Sequence, residues 1–71
     1  MATPGDAVQQ LIKTMTGSGI SIEVKAAAAE GLGYAGGVEA RDALINVING
    51  SGIHVDVKAA AARALGRAVG R

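Results

Sequence analysis

One ten-residue stretch occurs twice with two changes, as Val24-Lys25-Ala26-Ala27-Ala28-Ala29-Glu30-Gly31-Leu32-Gly33 and as Val57-Lys58-Ala59-Ala60-Ala61-Ala62-Arg63-Ala64-Leu65-Gly66. The offset is 33 residues, and it holds outward from there. Leu11-Ile12 returns as Leu44-Ile45, and Gly17-Ser18-Gly19-Ile20 as Gly50-Ser51-Gly52-Ile53. Aligning residues 6–37 on residues 39–70 gives 17 identities in 32 pairs, too many for chance. The chain therefore reads as a single domain over residues 1–71, built from two copies of one unit, 6–37 and 39–70, behind a short leader. A period between about 20 and 50 residues is the mark of stacked repeats.

Each copy reads as two helices. Val8, Leu11, Ile12 and Met15 follow the spacing of one helical face, and Ala40, Leu44, Val47 and Ile48 line a comparable face in the second copy. Thr3-Pro4 suits an N-cap followed by proline in the first turn, and Gly17 and Gly50 stand where these helices should stop. Ser21 is placed to cap the next helix, with Glu23 in its first turn. Its expected apolar face is Val24, Ala27, Ala28, Gly31, Leu32 and Ala35, ending at Gly36-Gly37; the copy runs Val57, Ala60, Ala61, Ala64, Leu65 and Ala68. No segment alternates as a strand does. The fold expected is all-α, an α-solenoid fragment of two helical hairpins, four helices in two layers.

A helix carrying Leu-Ile followed by a Val-Lys-Ala-Ala-Ala-Ala-x-x-Leu-Gly helix resembles a HEAT repeat, and most of all the short, alanine-rich class found in phycobilisome-lyase-like proteins. The resemblance spans residues 6–70 and is most specific over Val24–Gly33 and its copy. It implies two HEAT-like repeats serving as a scaffold for other proteins. A fold likeness brings no site with it.

Composition narrows the function classes. Hydrophobic residues make up 49% of the chain, but most of them are Ala, Val, Ile or Leu, and Phe and Trp are absent, so the core must be thin. A chain this short buries only about 60% of its unfolded surface, and some further staple is expected. There is no cysteine to supply a disulfide, so self-association is the staple left. A net charge of +1 gives no long-range field to gather nucleic acid or an anionic membrane. No apolar run is long enough to span a bilayer, and Met1–Gln10 lacks the basic and apolar regions of a signal peptide, so a cytoplasmic location is expected.

The chemistry-bearing residues point away from catalysis. Gly31-Leu32-Gly33-Tyr34-Ala35-Gly36 matches the dinucleotide-binding spacing in letters, yet it ends a helix where that fingerprint follows a strand and opens one. Helix packing and capping account for these glycines. The Gly-Ser-Gly turns could offer backbone amides to an anion, but no lysine follows at P-loop spacing. Their repetition sets two such turns side by side as a minor candidate binding edge. His54, the single histidine, has no partners spaced for a metal site or a triad. No enzymatic activity, metal or cofactor is expected.

Repeat-equivalent positions face each other across a stack. Glu30 and Arg63 are such equivalents of opposite charge and should pair, which makes Glu30, Tyr34, Arg63 and Arg67 the candidate partner face. Arg63, Arg67 and Arg71 form a short basic stripe, but without aromatic interleaving it offers at most weak, salt-sensitive nucleic-acid binding. Gln10 and Thr14 in the first copy become Ala43 and Val47 in the second, as expected of a polar N-terminal cap. Ile45, Ile48 and Val69 leave the opposite edge apolar, a candidate self-association edge for a homodimer. The expected function is a non-catalytic protein-interaction or assembly module. An accessory part of a bilin-lyase-type protein and weak nucleic-acid binding are the alternatives.

Overall fold

The computed structural model describes residues 2–70, which form four helices: α1 (Pro4–Thr16), α2 (Ile22–Ala35), α3 (Gly37–Asn49) and α4 (Val55–Ala68). Each start has a local cause. The Thr3 hydroxyl accepts from the Asp6 amide at 3.1 Å while the Thr3 amide donates to the Asp6 carboxylate at 3.0 Å, a reciprocal capping box. Ser21 Oγ accepts from the Val24 amide at 3.2 Å and opens α2. At the equivalent place in the second copy, His54 does the same work, its Nδ1 accepting from the Asp56 amide at 3.0 Å.

The two kinds of connection differ. Gly-Ser-Gly turns join α1 to α2 and α3 to α4, with Gly19 and Gly52 at nearly the same φ, +73° and +72°. Between α2 and α3 only Gly36 intervenes. Gly36 and Gly37 sit at φ +67° and +87°, a region closed to most L side chains, and the Gly36 amide returns to the Leu32 carbonyl at 3.0 Å. Two adjacent glycines thus let the chain reverse in one step. The sequence places Gly37 in the stop that ends α2; in the structure it is already the first residue of α3.

The helices pack as two hairpins, α1 on α2 and α3 on α4, with α2 and α4 making the most extensive contact between the copies. Twelve described hydrophobic residues are buried, and seven are alanines: Ala28, Ala29, Ala40, Ala60, Ala61, Ala64 and Ala68. Met15, Leu32, Leu44 and Val57 are the largest side chains fully enclosed. No polar or charged residue among those described is buried. Small side chains suit close helix approach, and Gly33 is the tightest point. A Cβ built there would stand 2.7 Å from Ala64 Cα and 2.8 Å from the Ala64 carbonyl oxygen. Ala in this place would collide with backbone, so the α2–α4 spacing depends on glycine.

One face differs from its sequence reading. On α2, Val24 is 48% exposed, and Ala27 and Ala35 are also exposed, while Ala29 and Gly33 are buried. The helix is turned by about one position because it meets two neighbours, Gly31 lying against Leu11 of α1 and Gly33 against Ala64 of α4. With small residues all round, nothing in its own sequence marks which side wins. No described helix is long and apolar enough to cross a membrane.

Candidate functional site

Two surfaces carry the candidate residues. The first lies where α2 and α4 run side by side. Glu30 Oε2 meets Arg63 Nη2 at 3.0 Å and accepts from its Nε at 3.1 Å. The other carboxylate oxygen, Oε1, takes a 2.6 Å bond from Arg67 Nη1, a partner that repeat equivalence does not predict. The Arg67 guanidinium in turn lies 4.7 Å from the centre of the Tyr34 ring. All four residues of the candidate partner face are therefore brought together and engaged with one another.

The electrostatics follow from this clamp. The hydrogen bond from Arg67 holds the Glu30 carboxyl below its ordinary value; partial burial opposes the shift, and Arg63 reinforces it. Arg67 is raised by the same bond. Arg71, the third member of the basic stripe, lies outside the described residues. The two described members share the single carboxylate of Glu30, which offsets one of their two charges.

The second surface is the outer, C-terminal edge formed by α3 and α4. Its residues can be compared with their equivalents on α1 and α2, which face inward. Met15 is buried and its equivalent Ile48 half-buried; Ile12 is half-buried and Ile45 is 41% exposed. Ala29, Gly33 and Gly36 are buried, whereas Ala62, Gly66 and Val69 are exposed, Val69 at 69%. A Cβ at Gly66 would meet nothing within 4 Å. This edge has the composition of an inner surface without a neighbour on it. The N-terminal edge is different: Gln10 and Thr14 hydrogen-bond each other along α1, and the Gln9 amide donates to the Glu39 carboxylate on α3.

A cleft of about 230 Å³ opens where the ends of α1 and α3 meet the starts of α2 and α4, with Gly52 and Ile53 of the second Gly-Ser-Gly turn on its wall. His54 lines it. No group of three or more His, Asp or Glu residues among those described could hold a metal ion. Residue spacing does not reveal the cleft, because its wall draws on every helix, nor the bond of Arg67 to Glu30, because Arg67 stands one turn beyond the position equivalent to Glu30.

Residues 24–50 match a family model described as PBS lyase HEAT-like repeat. The match runs from the start of the alanine-rich segment through α2, the Gly36 turn and α3, so it takes the second helix of one copy with the first helix of the next. No curated protein and no solved structure matches the chain.

Proposed function

We propose that this chain, an all-α HEAT-like repeat module, is a non-catalytic protein-interaction or assembly unit whose docking surface is its C-terminal edge. The supporting observation is the contrast between Gly33, closed by Ala64, and its equivalent Gly66, with nothing near it. A repeat surface shaped to take another helix stands uncovered beside exposed Ile45 and Val69. Isolated exposed apolar residues are ordinary, but several at positions whose equivalents in the first copy are wholly or partly covered are the pattern of a docking site. The occupant is a second copy in a two-fold pair, which places Ile45, Ile48 and Val69 at the contact and leaves Arg63 and Arg67 at the rim. Two repeats become four, and the thin alanine core gains a neighbour.

The alternatives draw less support. Arg63 and Arg67 are both held by Glu30, which offsets one of their two charges and leaves little positive field for a phosphate backbone. A tetrapyrrole would need a larger pocket than a cleft of about 230 Å³. Light scattering at micromolar concentration tests the reading. The wild-type chain should run as a dimer, and Ile45→Asp, which would bury an unpaired charge at the contact, should yield monomers of much lower stability. A folded wild-type monomer would end the proposal; an unchanged dimer in the variant would move the interface elsewhere.

A further inference from the structure

We infer that the cleft beside the second Gly-Ser-Gly turn is a binding site for a small organic monocarboxylate with a compact apolar body. Its floor is Met15, Val47 and Val57, all buried, and Ile22 and Ile53 complete an apolar wall. At about 230 Å³ it is smaller than the roughly 300–1,000 Å³ of sites for drug-sized ligands, which limits the occupant to a short chain or a small ring. Two polar groups among the lining decide the charge. Lys25 is half-buried, and its ammonium makes no hydrogen bond or ion pair among the described residues. An ammonium beside an apolar wall with no counterion favours an anion.

His54 adds direction. Its Nδ1 is committed to the Asp56 amide, so in the neutral ring the proton sits on Nε2 and that atom is a donor. Asp56 is the acid near this ring, its carboxylate 3.8 Å from Nδ1, but it is largely exposed and screened by water. The remaining polar side chain is Thr16, whose hydroxyl donates to the Ile12 carbonyl at 2.8 Å and so presents only acceptor capacity, weak company for an anion. The carboxylate is therefore assigned to Lys25 and His54. The site shares no residue with the C-terminal edge, so its success or failure is independent of self-association.

Amide-resolved NMR titration of the full chain tests the site with three probes: 4-methylpentanoate, its neutral amide, and acetate. The expected result with 4-methylpentanoate is saturable shifts confined to residues 15–25 and 47–58. The neutral amide should bind about tenfold more weakly, the scale of one charge-assisted hydrogen bond, and acetate should give no saturable shifts there. Lys25→Gln should lose about tenfold in affinity while keeping its helical signal and melting temperature, since Lys25 holds nothing else. Lys58→Gln, the repeat-equivalent change outside the cleft, should leave affinity unchanged. Shifts that never saturate, equal binding of the acid and its amide, or an equal loss in both lysine variants would each overturn the assignment.

Discussion

Helices α2 and α4 share most of their sequence and almost none of their surroundings. Ala29 and Gly33 are buried in the first; Ala62 and Gly66, the same residue types at the same positions, are exposed in the second. Glu30 is clasped by two arginines from α4, while its equivalent Arg63 extends from the last helix of the stack. The local sequence makes both segments helical, with similar caps and similar first-turn acids. Only the neighbour decides which side is interior. In a repeat protein, burial is a property of position in the array before it is a property of the residue.

Matched substitutions at equivalent positions break the comparison open. The largest effect is expected at the close approach. Gly33→Ala should cost about 3 kcal/mol, the upper end of overpacking, because its Cβ meets the Ala64 backbone and no flexible side chain can yield. Gly66→Ala has open space within one chain and normal helical geometry, so in the unpaired Ile45→Asp chain it should stabilise by about 0.5–1 kcal/mol, the ordinary gain of alanine over glycine in a helix, a gain that should disappear where the second copy covers Gly66. Urea unfolding of both variants at one fixed protein concentration measures the pair. Equal effects at the two sites in the unpaired chain would mean that α2 and α4 do not differ as described.

A second pair tests the alanine core itself. Ala61, fully buried, should cost about 2 kcal/mol when replaced by leucine, while the same change at exposed Ala62 should lie near zero in the unpaired Ile45→Asp chain. A neutral or stabilising Ala61→Leu would refute the close packing of α4.

The smallest effect belongs to the ion-pair clamp, which is only partly buried and open to water on the Arg63 side. Glu30 has a lowered pKa when folded, so its contribution is complete above the ordinary carboxyl value near 4.5 and is lost as pH falls through the lower folded value. Glu30→Gln should therefore lower the melting temperature slightly at neutral pH, and the gap from wild type should close in acid. A gap that widened in acid would reverse the sign and remove Glu30 from the clamp.

Residue spacing carried most of the architecture. Leu11, Ile12 and Met15 on one face, the Thr3 and Ser21 caps, and the terminal glycines place α1 and α2 within a residue or two, and the 33-residue offset transfers the reading to α3 and α4. The offset also identifies the Glu30–Arg63 pair. What it could not supply was contrast within Ala26–Ala29, where small residues point every way, so the buried side of α2 was placed one position off. The partnership of Arg67 and Tyr34 with Glu30 depends on how far α4 is displaced along α2, and the cleft depends on all four helices at once. Neither is a local property of the chain.

The alanine interior has one more consequence, which concerns entropy. Folding ordinarily freezes the rotamers of each buried side chain, at up to about 2 kcal/mol for the longest ones, but alanine has no rotamer to lose. Seven of the twelve buried hydrophobic residues are thus fixed at no side-chain entropic cost, which offsets part of the small apolar area they remove from water. The same absence of torsional freedom leaves that wall unable to adjust. A longer side chain could swing aside to admit a misplaced helix, whereas methyl groups against a glycine backbone accept one separation between α2 and α4 and no other.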